Sequence, residues 1–174
     1  GDIWGLQFDR FLTEDDFNAD GSLKAGLPDQ TKVFPAGYQF APGDVLYKDL
    51  DNNGEIVKQT NTNDKGDLSV IGNALPRLQF GLNLDAAWKG FDISMFFQGV
   101  AKRKLWAAGN QVLPGFTTGE PFYKGAEDYW TPENTDAFYP RPMDYKQSAS
   151  GNYSVNDRYL LNMAYLRLKT FTVG

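Results

Sequence analysis

The sequence predicts an all-β chain: antiparallel strands of a large transmembrane β-barrel with long extracellular loops. The first observation behind this is a period of two. Phe80, Leu82, Leu84, Ala86 and Trp88 fall on one face, with Gly81, Asn83, Asp85 and Ala87 on the other. Phe91, Ile93, Met95 and Phe97 repeat the pattern opposite Asp92, Ser94 and Gln98. Side chains alternate across a strand, so the two runs read as the arms of a half-buried hairpin. The second observation is length. Each arm runs about ten residues, long for a soluble strand and right for a tilted bilayer crossing. The third is an asymmetry of connections: Lys89-Gly90 is a two-residue turn, whereas stretches of some tens of residues flank the hairpin. Compact domains connect their elements through short loops. Membrane barrels set short turns at one rim against long loops at the other.

Taken in order, strands are expected near residues 2–9, 79–88, 91–100 and 163–173, with outer loops over 10–78 and 101–162. In the first strand Trp4, Leu6 and Phe8 share a face. Thr13 is placed to cap a helical turn through Glu14, Asp15 and Asp16, since its side-chain oxygen suits an orphan N–H. Gly, Pro and Asn punctuate residues 21–42, yet Phe34, Tyr38 and Phe40 lie among them, which indicates an ordered loop. Lys-Gly is a weaker turn signal than Asn-Gly, but Gly90 supplies the positive φ that a two-residue turn needs. Trp88 and Phe91 flank that turn as an aromatic girdle would at a membrane interface. In the last strand Leu166 and Leu168 share a face while Phe171 and Val173 fall opposite. Either a bulge lies between Lys169 and Phe171, or the strand is buried on both sides.

Composition narrows the functions. The chain has 174 residues and a formal net charge of −5, which disfavours nucleic acid as a partner. It has no Cys and no His, which removes disulfides, thiol catalysis, Cys-ligated zinc and the commonest general base. Aromatics at 15% and 18 Gly suit a β-rich chain with many turns. Gly1 opens the chain in place of a Met, and Val173-Gly174 closes it within a strand-like run, the pattern of a fragment of a longer protein.

Two groups of residues are candidates for binding. In Asp49-Leu50-Asp51-Asn52-Asn53-Gly54-Glu55, oxygen-bearing Asp49, Asp51, Asn53 and Glu55 alternate around Gly54 in sixth place. A calcium loop needs oxygen ligands at positions one, three and five, Gly at six for the turn, and a carbonyl at seven. Position twelve is Thr60, which lacks a carboxylate; Asp64 or Asp67 substitutes if the following loop bulges. The calcium would be structural. The alternative is a solvated Asn-Gly turn with acidic neighbours. The second group is aromatic: Trp106, Phe116, Phe122, Tyr123, Tyr129, Trp130, Phe138 and Tyr139 lie between prolines. Such rings stack on sugars or pack a core of the loop's own, and the core is the expectation for any one of them. Residues 127–130 read as a helical turn halted by Pro132. Glu127 and Asp128 make a poor pair of glycosidase carboxylates, because neighbours on a strand point to opposite faces.

Four blocks carry a family resemblance: PGDVLYKDLDNNGEI (Pro42–Ile56), VIGNALPRLQFGLNLDAAWKGFDISMFFQGV (Val70–Val100), DYWTPENTDAFYP (Asp128–Pro140) and AYLRLKTFTVG (Ala164–Gly174). In this order they resemble the SusC/RagA group of TonB-dependent outer-membrane transporters of Bacteroidetes. The resemblance is weakest over residues 21–40 and 104–124. It implies an outer-membrane barrel that takes up oligosaccharides, or peptides in some members. The inner-membrane TonB complex would energise it and a SusD-like surface lipoprotein would lid it. This chain would supply a few strands and two outer loops from the C-terminal part of the barrel. The turn at Lys89-Gly90 would lie at the periplasmic rim, Phe80 and Val100 toward the outer surface. The apolar face would meet lipid, while Asn83, Asp85, Asp92, Ser94 and Gln98 would line the lumen. No catalysis is implied. Asn52-Asn53 and residues 57–65 depart from the family's acidic loop. The alternative function is a soluble, calcium-stabilised carbohydrate-binding β module, suggested by the loop aromatics and the acidic turn.

Overall fold

The computed structural model describes residues 1–58, 61, 63–116, 122–143 and 151–174. Its strands are β1 (Asp2–Gly5), β2 (Phe8–Phe11), β3 (Val45–Tyr47), β4 (Ser69–Asn73), β5 (Leu78–Trp88), β6 (Phe91–Ala101), β7 (Lys104–Leu105), β8 (Leu161–Asn162) and β9 (Tyr165–Val173). Among the described residues the helical segments are single 3-10 turns at Glu14–Asp16, Lys124–Ala126 and Gly151–Tyr153. Among the described residues no helix is long and apolar enough to cross a membrane. The fold is all-β with antiparallel sheets, as the period of two indicates.

Two compact units form. A sheet unit comprises Gly1–Ile3, Gly72–Leu105 and Leu160–Gly174, and a loop unit comprises Trp4–Ile71 and Trp106–Tyr159.

The sheet unit is built on an antiparallel sheet in the order β5-β6-β9. β5 and β6 pair without interruption from Leu78↔Ala101 to Trp88↔Phe91. Lys89 and Gly90 close the hairpin with φ of 49° and 89°, the double positive φ that matches strand twist in a two-residue turn. Lys89 takes this conformation without being Gly or Asn, which explains why its turn signal is weak in sequence. β9 pairs with β6 from Ile93↔Val173 to Val100↔Tyr165, with a register shift where Phe96 faces Thr170 and Phe97 faces Leu168. Lys169 is therefore the extra residue of a bulge. This decides the alternative left open by the sequence. The bulge brings Leu166 and Leu168 onto the face that carries Phe171 and Val173. One apolar face then runs across all three strands, through Leu82, Leu84, Met95, Phe97, Leu168 and Phe171. Every residue of β5 and β9 is exposed, so neither face of the sheet is covered along those strands.

Two aromatic rings lie over glycines in this sheet. A Cβ at Gly99 would come within 2.2 Å of the Phe80 ring, and one at Gly81 within 2.9 Å of Phe96. A ring laid over a strand glycine covers backbone that the missing side chain leaves bare. Phe96 thus stands on the otherwise polar face, a placement that period-two reading of the polar residues alone passes over.

The loop unit has a core of Leu6, Phe11, Val33, Phe34, Val45, Tyr47, Ile56, Trp130 and Ala137, and a smaller cluster of Leu113, Tyr153 and Tyr159. The expected strand near 2–9 is two strands, because buried Leu6 leaves the ladder to donate its N–H to the Val155 carbonyl at 2.9 Å. The expected loop 10–78 contains β3 and β4, and 101–162 contains β7 and β8. β2 and β3 pair, and all three residues of β3 are buried. Gln30, fully buried, accepts from the Tyr47 N–H at 3.2 Å and donates to the Val45 carbonyl at 2.8 Å. Its amide takes the place of a neighbouring strand's peptide, which satisfies backbone groups that burial would otherwise strand.

The turn at Glu14–Asp16 forms as expected. The Asp16 carboxylate accepts from the Thr13 N–H at 2.8 Å and from both terminal nitrogens of Arg10, at 2.6 and 2.7 Å. The helical turn expected at 127–130 does not form there. It sits at Lys124–Ala126, since the backbone beyond it is committed to pairing. Tyr139 donates to the Asp128 carbonyl and Trp130 to the Tyr139 carbonyl, each at 3.0 Å.

Candidate functional site

The acidic turn of the loop unit brings three carboxylates together. One oxygen each from Asp49, Asp51 and Asp67 lies within 4.8 Å of the others. Asp67 enters from beyond the motif, as one of the two substitutes for position twelve; Thr60 lies outside the described residues. Gly54 has φ of +84° and donates its N–H to Asp49 at 2.7 Å, closing the sharp turn. Asn53 spans the loop, donating from Nδ2 to Asp51 at 2.9 Å and accepting from the Glu55 N–H at 2.7 Å. The Glu55 side chain leaves the group and pairs with Lys32. Position seven of a calcium loop donates through its backbone carbonyl, so that pairing does not engage the relevant donor. Asp67 is fully buried and accepts from the Leu50 N–H at 2.7 Å and the Val57 N–H at 2.8 Å. Desolvation and the neighbouring carboxylates raise the pKa of Asp51. For Asp49 desolvation acts in the same sense but is outweighed by backbone donors, Gly54 first, so its pKa is lowered.

A buried ionic centre holds the two segments of the loop unit together. Asp44 is fully buried and accepts from Arg141 Nε at 2.8 Å, Tyr38 Oη at 2.9 Å and Asn152 Nδ2 at 2.9 Å. The Ala41 N–H and Arg141 Nη2 add two more bonds, at 2.9 and 3.2 Å. A buried charge is tolerated when it is paired and its lone pairs are filled, and both conditions are met here. Burial and the Asp44 charge push the Tyr38 phenol up, so it stays protonated as a donor. Gly43 precedes this centre with φ of +90°, and a Cβ there would fall 2.5 Å from the Trp130 ring. Glycine is required there on both counts.

The strap of residues 139–142 that carries Arg141 also borders a cleft of about 360 Å³. Phe122, Tyr123, Tyr129, Tyr139 and Tyr153 line it, with Lys124 and Glu127 at the Lys124–Ala126 turn. Tyr139 stacks on Tyr159 with ring centroids 6.0 Å apart and planes at 12°, and Tyr153 meets Tyr159 edge-on at 5.4 Å. Phe34, Tyr38, Phe40 and Trp130 take the core role expected of a loop aromatic. Phe122, Tyr123 and Tyr129 do not, at 54%, 46% and 40% exposed. The sequence names these rings but not their meeting. Tyr153 escapes it, for no local pattern marks a tyrosine that reaches the cleft from a separate 3-10 turn.

On the polar face of the sheet, Ser94 Oγ donates to Asp85 at 2.6 Å across the hairpin. Asn83, Asp92, Gln98, Arg167, Thr170 and Thr172 share that face by register. A strand set with one apolar and one polar face, both open, is the local pattern of a barrel wall between lipid and water.

No protein-family model matches the chain. Two proteins of Formosa agariphila are similar to it. TonB-dependent receptor P3 is 31% identical over 139 residues, which cover 76% of this chain and 12% of that protein. TonB-dependent receptor P26 is 34% identical over 124 residues, covering 69% of this chain and 11% of that protein. The chain thus spans about an eighth or less of the length of these relatives. The likeness to both TonB-dependent receptors extends over most of this chain's own sequence, and the part of it that is described includes the membrane-length hairpin.

Proposed function

We propose that this chain forms barrel wall and outer loops of an outer-membrane active transporter of the SusC/RagA type. It imports glycans or oligosaccharides, or peptides, with a SusD-like lipoprotein as lid and TonB as the source of energy. The observation that carries this reading is the continuous apolar face across β5, β6 and β9, with polar residues opposite and neither face covered along the outer strands. In water such a face invites aggregation; against lipid it is stabilising. Both relatives are TonB-dependent receptors, which supports transport through the outer membrane. The work assigned to this chain is binding and passage, in keeping with the receptor names of both relatives. Expressed intact, the protein is expected in the outer-membrane fraction, extractable with detergent, with uptake lost on deletion of TonB. Recovery among soluble proteins without detergent contradicts the reading and favours the carbohydrate-binding module.

The acidic turn is assigned a structural calcium ion, held by Asp49, Asp51, Asn53 and the Glu55 carbonyl, with Asp67 as the added carboxylate. The approach of three carboxylates within 4.8 Å favours it. Calcium at a hundredfold its dissociation constant should raise loop-unit stability by about 2.7 kcal/mol, read as a chelator-reversible shift in melting. A melting temperature indifferent to calcium and chelator contradicts it.

A further inference from the structure

We propose that the aromatic cleft between the Lys124–Ala126 turn and the 139–142 strap is a stacking site for one face of an uncharged sugar ring. The proposal rests on the uptake reading for why a sugar reaches it, and adds where on this chain the sugar is held.

Three features favour it. The first is the disposition of the rings. Tyr139 and Tyr153 form a floor fixed by packing on Tyr159, while Phe122, Tyr123 and Tyr129 stand about half exposed at the mouth. Large rings left open beside a core that has absorbed Trp130 and Tyr38 offer faces to a ligand. A pyranose presents the matching surface, with C–H bonds on one face and hydroxyls around its edge.

The second is charge. Among the described residues, Lys124 and Glu127 are the charged ones lining the cleft, and their charges cancel. Burial pushes the phenols of Tyr139 and Tyr153 up, so they remain neutral hydroxyls at physiological pH. The described lining thus offers hydroxyls with one cation balanced by one anion, which suits a neutral polyol over an ion.

The third is preorganisation. Tyr129 is bridged to Tyr139 in parallel, and the strap is anchored through Arg141 to buried Asp44. A site rigid before binding loses less entropy on binding. Its volume of about 360 Å³ lies at the small end of ligand pockets, roughly 300–1,000 Å³. That suits one or two rings better than a proline-rich peptide, which needs a longer trough.

The test titrates the intact receptor in detergent with neutral hexasaccharides of β-1,4-glucan, β-1,3-glucan, α-1,4-glucan and β-1,4-mannan, and with a peptide of alternating Pro and Tyr. At least one hexasaccharide is expected to bind. Tyr123→Ala and Tyr129→Ala should each weaken it roughly tenfold without changing the melting profile, while Tyr129→Phe keeps it. The proposal is overturned if none of the four binds, if sugar binding survives both alanine variants, or if the peptide alone binds. Localisation and TonB-dependent uptake are scored on the same variants. Retained uptake with unchanged sugar affinity removes the cleft and leaves transport standing. A soluble protein whose sugar binding still depends on Tyr129 removes transport and leaves the cleft.

Discussion

The sheet of β5, β6 and β9 and the loop unit dispose of their polar groups in opposite ways. In the sheet, regular pairing satisfies the backbone along the β5–β6 ladder, and apolar side chains stand open along β5 and β9. In the loop unit apolar side chains are buried, and polar side chains go in with them to serve the irregular backbone: Gln30 beside β3, Asp67 under Leu50 and Val57, Asn152 on the Val45 N–H. The lesson concerns solvent. A sheet that meets lipid needs complete pairing and little core, whereas long loops in water need a core and surrogate partners for each buried peptide.

The strongest way to break this comparison is at Asp44. Asp44→Ala removes the acceptor of Arg141, Tyr38 and Asn152 and takes the carboxylate from a half-buried guanidinium, at a cost of about 3 kcal/mol, the low end for breaking a buried pair. The loop unit should become susceptible to limited proteolysis, while the barrel strands still assemble. Next is the apolar face of the sheet. Leu84→Lys or Ile93→Lys should destabilise membrane assembly by about 2–4 kcal/mol, seen as lost heat-modifiable mobility on gels. Asn83→Lys and Ser94→Lys, on the opposite face, should be tolerated.

A smaller effect sharpens the picture inside the hairpin. Gly99→Ala places a methyl 2.2 Å from the Phe80 ring and should cost about 1–3 kcal/mol, with Phe80→Leu in the same chain restoring most of it. The smallest concerns Asp16. Its bond to Arg10 is the largest of the effects that bring its pKa down to about 2. Since folding lowers this pKa, the carboxylate's contribution is complete above the ordinary carboxylate range and disappears as pH falls toward 2. Arg10 is partly exposed and screened, so Asp16→Asn should cost about 1 kcal/mol at neutral pH and little at pH 2, measured by thermal unfolding.

The hairpin was legible in sequence because its information is local: alternation marks the faces and Lys89-Gly90 marks the turn. The bulge was half legible, since the mismatch of Leu168 and Phe171 demands an extra residue without naming Lys169. The acidic turn was legible in Asp49, Asp51 and Gly54, while Asp67 was one of two candidates that folding alone distinguishes. The rest was not local. Asn152 meets Val45 across 107 residues and Tyr153 reaches the cleft from another segment, so no periodicity announces either. The turn expected at 127–130 failed to a contact outside its own window: Phe138 and Tyr139, ten residues on from Asp128 and Tyr129, had claimed the Asp128 backbone and side chain.

The account turns on the claim that the sheet separates lipid from water. The chain has no Cys, so single cysteines at positions 82–86 and 92–95 of the intact receptor accept a spin label, provided the rest of the receptor is cysteine-free. Collision with oxygen and with a water-soluble nickel chelate is then measured in lipid bilayers. The account predicts a period of two, with oxygen favoured at 82, 84, 86, 93 and 95 and the chelate at 83, 85, 92 and 94. Uniform accessibility, or the chelate favoured at Leu84 and Ile93, contradicts it.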